Sequence, residues 1–266
     1  MADSSETVSV QTAIRLIFEQ ATEPLYLLRP STELLEIVIE IATDQESPPL
    51  HVLTTEPELK AVRNHFPSAS RAADLVEADR LTLTPVVPEG WGTAIVTTET
   101  AHAFAHVDGN ELVVEGANLS TEVREICRDC RDAHEPFDLR TPPWSGVIST
   151  LTETFDAEVG ADFETTIETL EALEDPAVNV ADSALLVAAR HELLLYDLSH
   201  WAEDIRLYSK ATLSRAKSDL EEFGIVSCEK VQIDVGRPRK RLTLTEEFAS
   251  LSEAELLREL DAVRRE

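Results

Sequence analysis

The sequence predicts an α/β N-terminal domain followed by a C-terminal α+β domain of three helices and a hairpin, and three observations carry that division. Between residues 24 and 80, short apolar runs rich in strand formers alternate with helix-start signals. Pro136, Pro142 and Pro143, then Glu174-Asp175-Pro176, punctuate the middle of the chain. Beyond Asp182, three helical segments lead into two alternating strands.

Taken in order, an opening helix is expected over 6–20, where Val10, Ile14 and Ile17 recur at helical spacing. PLYLLRP (24–30) and LHVLTT (50–55) read as strands. Each precedes a helix start, Ser31 and Thr32 before ELLEIVIEIA and Thr55 before EPELKAVRNHF. Parallel right-handed connections follow from that alternation. From 80 to 116 successive strands are expected, RLTLTPVV, GTAIVTTE, AHAFAHVD and ELVVEG, the last two turned by Asp108-Gly109-Asn110. A helix over 118–132, capped by Ser120 with Glu122 and Glu125 in its first turns, ends the region. Residues 1–140 therefore read as a sensor-like or dimerisation domain.

A helical connector is expected over 141–181, with Ile148, Leu151, Phe155, Phe163, Ile167 and Leu170 as its apolar positions and an interruption at Val159-Gly160. The next module spans 182–249. DSALLVAARHE (182–192) and LYDLSHWAEDI (195–205) are its first two helices, and Ser209 caps a third, SKATLSRAKSDLEEFG. On that third helix Leu213, Ala216 with Lys217, Leu220 and Phe223 follow the spacing of a buried face. Gly224 supplies the left-handed residue that stops it. The strands IVSCEKVQI and RLTLT follow, joined by a tight turn at Val235-Gly236 and the tip GRPRKR. Helix, helix, helix and hairpin make a winged helix-turn-helix. A last helix over 250–266 turns Leu256, Leu260 and Val263 to the core or to a partner.

Charge separates this module from the rest. The chain holds 51 acidic and 23 basic residues, a net charge of −28, and only five of the basic residues are Lys. A carboxylate-rich surface poor in Lys suits concentrated salt, as in a halophilic archaeal cytoplasm, where the Debye length falls to about 3 Å at molar salt. An acidic mesophilic protein is the alternative, since net charge speaks to solubility and not to fold. Within 206–241, however, nine basic residues face five acidic ones, and four of the five Lys lie there. Such asymmetry marks a nucleic-acid footprint. Ser209, Lys210, Thr212, Ser214, Arg215, Lys217 and Ser218 on the third helix are candidates for base and phosphate contacts. Arg237, Pro238, Arg239, Lys240 and Arg241 form a wing suited to the backbone or a narrow minor groove.

The 209–244 segment resembles haloarchaeal winged-helix regulators of the TbsP family, and residues 1–140 match that family in layout, without a sharp motif. The resemblance implies dimeric, sequence-specific control of central carbon metabolism genes, gluconeogenesis in particular, beside a sugar-responsive TrmB-type regulator. Two-fold operators also pair with dimers, so a homodimer on double-stranded DNA is expected. Repression is the commoner consequence of occupying a promoter. In concentrated salt counterion release loses its drive, so a shallow or reversed salt dependence of binding is expected.

Other classes find less support. No P-loop, GxGxxG, GxSxG or HExxH occurs, so neither an enzyme nor a cofactor is expected. A sugar-phosphate or nucleotide enzyme in 1–140 and a protein-interaction adaptor whose winged helix does not bind DNA are the rivals. Cys127, Cys130 and His134 offer three possible metal ligands where a closed zinc site takes four, so no metal is expected. Few cysteines, no signal-peptide pattern and no run near the ~18 apolar residues of a membrane span lead to an expected cytoplasmic location. Arg29, Ser31, Thr32, Thr54 and Thr55 sit where strands end and helices begin, and could hold an anionic effector such as a sugar phosphate. Helix capping is the plainer role for the same residues.

Overall fold

A computed structural model describes residues 9–107, 110–116, 120–173, 175–232 and 238–265. The chain divides into two compact units, Met1–Pro143 and Trp144–Glu266.

The first unit runs α1 (Val10–Gln20), β1 (Leu25–Leu28), α2 (Thr32–Asp44), β2 (Leu50–Leu53), α3 (Glu56–Asn64), α4 (Phe66–Glu77), β3 (Leu81–Thr84), β4 (Ala94–Val96), β5 (Ala101–Val107), β6 (Asn110–Gly116) and α5 (Ser120–Asp132). Its six strands lie in the order β3-β2-β1-β4-β5-β6. β1 pairs parallel with β2, and β2 with β3, in the register Leu25↔Leu50 and Leu50↔Leu81. β4, β5 and β6 follow as an antiparallel meander, with β4 against β1. The strand expected from RLTLTPVV is therefore the third parallel strand, because α3 and α4 carry the chain back over the sheet before it. The helix α4 escapes the sequence pattern. Its buried face is built from Pro67, Ser68, Ala69, Ser70, Ala72, Ala73 and Leu75, mostly small residues that give little hydrophobic periodicity. The Asp108-Gly109 turn lies outside the described residues, as does the side chain of Ser120.

Alternation along β1 separates two cores. Leu25 and Leu27 join the larger one, with Ile14, Phe18, Leu35, Val38 and Ile39 of α1 and α2. Tyr26 and Leu28 face the other way, where Leu53, Val96, Val123 and Cys127 gather. Arg124 of α5 donates to the Pro24 carbonyl at 2.7 Å and lies over the Tyr26 ring. Arg131 of α5 sits 2.8 Å from His51 Nε2. Burial, and then the charge of Arg131, push His51 down to about 4, so the neutral ring accepts the arginine's hydrogen bond. Burial likewise pushes the Cys127 thiol up to about 12.

The second unit runs α6 (Trp144–Thr154), α7 (Ala157–Glu171), α8 (Val180–Arg190), α9 (Leu195–Asp204), α10 (Lys210–Glu222), β7 (Val226–Val231), β8 (Arg239–Leu244) and α11 (Glu253–Arg265). The break between α6 and α7 falls at Phe155-Asp156 and not at Val159-Gly160. Asp156 caps α7 by accepting from Val159 N at 2.9 Å, and Gly160 lies inside the helix, where a β-carbon would meet the Thr152 hydroxyl. Both helices pack within the unit: Trp144 stacks on Phe163, Phe163 meets Trp201 edge-on, and Trp201 Nε1 donates to Thr150 at 3.1 Å. α8 buries every residue from Val180 to Ala189, which marks it as the unit's central helix. Asn179 and Asp182 form a capping box at its start. α11 packs on α7 and α8, so the last helix belongs to the core, with Leu256 and Leu260 buried and Val263 half-buried.

Three successive helices end alike. α8, α9 and α10 close with the amides of Leu193, Leu207 and Ile225 bonding back to Ala188, Ala202 and Leu220. The left-handed residue in each stop is Glu192 (φ 52), Arg206 (φ 60) and Gly224 (φ 71). Only Gly adopts this conformation without a β-carbon penalty. Arg206→Gly is expected to raise stability by about 0.5–1 kcal/mol, and Gly224→Ala to lower it by a similar amount. Urea unfolding midpoints of the two variants, moving in opposite directions, check this.

Candidate nucleic-acid interface

The turn over 205–209 joins α9 to α10, with Arg206 absorbing the reversal at φ 60. Ser209 then starts α10, its hydroxyl accepting from Thr212 N at 3.2 Å. Leu213, Ala216, Lys217 and Leu220 bury the inner face, leaving Lys210, Ser214, Arg215 and Ser218 exposed on the outer one and Thr212 half-buried. Behind α10, β7 and β8 pair from Val226↔Leu244 to Val231↔Arg239. Leu194 bridges Arg241, adding a short third strand between α8 and α9. Helix, short strand, helix, helix and hairpin make the winged helix-turn-helix, with α10 in the position of the recognition helix.

Two candidates on α10 sit differently from the sequence expectation. Lys217 is only 5% exposed and ion-paired with Glu221, so its charge is engaged under the wing rather than offered to DNA. Burial works against that charge, yet the hydrogen bond and charge of Glu221 outweigh it and raise the lysine pKa. Glu221 is lowered in turn by the bond from Lys217. Cys228 beside them is pushed up to about 11 by burial and by Glu221. Phe223, expected on the buried face, caps the helix and is 38% exposed, since α10 ends one residue before it.

The wing is also redistributed. Arg239, Lys240 and Arg241 lie in β8 and not at the tip, because strand pairing begins at Val231↔Arg239. Pro238 is exposed just before the strand, while Arg237 and the Val235-Gly236 turn lie outside the described residues. Strand alternation sends neighbouring cations apart. Arg239 reaches α9, bonding Asp197 at 2.8 Å with its guanidinium 3.9 Å from the Tyr196 ring centre. Arg241 approaches Glu192 at 3.8 Å, and Lys240 is exposed with its charge felt by Glu221. On α10, Lys210 is paired with Glu203, whose hydrogen bond raises its pKa. Sequence reading missed Tyr196, Glu192, Asp197 and Glu203 as parts of this surface. Arg239 and Asp197 stand 42 positions apart, beyond any local pattern.

In the first unit Arg29, Ser31, Thr32, Thr54 and Thr55 come together at the carboxyl ends of β1 and β2. β1 is also where strand order reverses, with β2 on one side and β4 on the other. Their polar groups are largely engaged. Ser31 caps α2 through Leu34 N, Thr54 donates to the Pro30 carbonyl, and Thr32 donates to the Glu58 carboxylate. Thr55 makes no side-chain cap, and Arg29, at φ 45, is exposed with its carbonyl accepting from Thr93. An anion there would meet one guanidinium and one carboxylate. Of the three possible metal ligands, Cys127 is buried and His134 Nδ1 lies 2.7 Å from the Cys130 carbonyl oxygen.

Among the described residues, no helix is long and apolar enough to cross a membrane. No curated protein and no solved structure matches the chain. Two family models do, and together they divide it where the fold divides. Residues 3–142 match the N-terminal domain of TbsP-like transcriptional regulators, and residues 143–261 match their C-terminal helix-turn-helix domain. The winged helix around α10 and the mixed α/β sheet before it are thus the two halves of one architecture, and the chain belongs to the TbsP-like family of DNA-binding transcriptional regulators.

Proposed function

We propose that the protein is a sequence-specific regulator acting as a homodimer, in which α10 enters the major groove and the wing tracks the adjoining backbone. One observation carries this: α10 turns Lys210, Ser214, Arg215 and Ser218 to solvent on one exposed face, within the stretch where a chain of net charge −28 gathers most of its Lys. Short hydroxyls and one long guanidinium suit base edges, while the wing cations suit phosphates. Ser209, Thr212 and Pro238 complete the proposed surface, and Lys217 supports it from beneath; Arg237 joins the proposal from its place in the sequence alone.

The acidic remainder suits a salt-rich cytoplasm, and control of central carbon metabolism, by repression at gluconeogenic promoters, is the role the family resemblance favours. An anionic effector at the ends of β1 and β2 would signal through the first unit, with Arg29 as its charged contact. Selection from a random duplex pool tests the core of the reading. Arg215→Ala or Lys210→Ala should change the selected sequence and cost about 1–3 kcal/mol on the wild-type site. Retention of no duplex by the wild-type protein, from dilute to molar KCl, would refute it.

A further inference from the structure

Three of the cations offered for DNA are already held by carboxylates of the same unit. Lys210 on α10 pairs with Glu203 of α9, Arg239 on β8 with Asp197 of α9, and Arg241 with Glu192 at the end of α8. All three acids keep solvent access, with side chains between 38% and 64% exposed, so they line the same surface as their partners. The stacking of Arg239 on Tyr196 adds a second restraint to its guanidinium. Arg215 differs: among the described residues it has no carboxylate at ion-pair distance.

A guanidinium that turns to phosphate leaves its carboxylate beside the DNA. Two anions then face each other unless a solvent cation enters between them. Capture of any duplex by charge alone rests on cations replacing the DNA's counterions. Here each exchange frees an anion as well, so cation uptake opposes counterion release. Contacts to base edges do not depend on that exchange and are weakened less. We infer that Glu192, Asp197 and Glu203 are specificity-determining residues, which restrain Arg241, Arg239 and Lys210 from indiscriminate phosphate capture and take up solvent cations when phosphate displaces them. This rests on the DNA-binding reading above and names the acids that would set its salt dependence.

The test uses the full chain and a labelled mixed-sequence duplex, followed by fluorescence anisotropy across a KCl series. The variant Glu192→Gln/Asp197→Asn/Glu203→Gln should bind about tenfold tighter in dilute KCl than the wild type, from three partly exposed pairs. Its affinity should also fall more steeply with added salt. Glu203→Gln alone, which alters only the exposed Lys210 pair, should move both quantities the same way by about twofold. A control carrying Glu158→Gln, Glu164→Gln and Glu168→Gln on α7 changes net charge equally and should match the wild type. Wild-type affinity and slope in both the triple and the Glu203 variant would overturn the inference, as would a control that tightens binding as much as the triple. If wild type, variants and control all fail to bind any duplex, the DNA-binding reading falls with it.

Discussion

Replacing Arg237, Arg239 and Arg241 together with alanine is expected to weaken binding to every duplex, whatever its sequence, by about a hundredfold. Cations on a wing contact phosphates, and a phosphate offers the same charge beside every base pair. The loss should therefore leave the ratio between preferred and unrelated sequences nearly unchanged, in contrast to Arg215→Ala. Arg239 adds a structural component, because its removal bares Asp197 and the 49%-exposed Tyr196. An unpaired Asp197 beside the backbone would repel it. Anisotropy titrations against several unrelated duplexes measure both quantities. Unchanged affinity for all of them would remove the wing from the interface.

Arg264→Ala is expected to cost about 3–5 kcal/mol of unfolding free energy in the second unit. Asp182 is fully buried at the start of α8, and its two oxygens take Asn179 N at 2.9 Å and Arg264 Nη2 at 2.7 Å. Arg264 also donates to the Ala177 carbonyl, so one guanidinium ties α11 to the segment that leads into α8. Without it a buried carboxylate is left with backbone partners alone. The deficit should depend on pH. Burial already raises the Asp182 pKa despite the opposing bonds from Asn179 and Arg264, and losing Arg264 raises it further. A carboxyl whose folded pKa lies above its unfolded one favours the folded state increasingly as pH falls through the folded value. Urea unfolding at neutral pH and near pH 5 should thus show a larger deficit at neutral pH. An equal, small deficit at both would mean that the pair does not stabilise the unit.

The helices could be read from the chain because their signals are local. Ser31, Ser209 and Gly224 each act within a few residues of their own position, through a cap or a left-handed stop. Where the local signal is weak, reading fails. α4 hides behind a face of alanine and serine, and the glycine that suggests the α6–α7 break lies inside α7, which the aspartate four residues before it caps. Spacing puts Lys217 on the inner face of its helix, while its charge puts it among the candidates for DNA. Lys217 falls on the inner face that spacing predicts, and Glu221, one turn on, meets its charge there.

Composition and local pattern determined that this chain has an α/β unit, a winged helix and a cluster of basic residues within an acidic sequence. Those properties follow from residue counts and from interactions spanning at most a few positions. Tertiary structure alone decided that β3 joins the parallel half of the sheet, that Arg124 and Arg131 meet Tyr26 and His51, and that Arg239 lies against Tyr196 and Asp197. Each of these joins residues tens of positions apart. Which distant groups meet is set by how helices cross and strands pair, and a carboxylate is drawn to whichever cation the finished fold brings within reach.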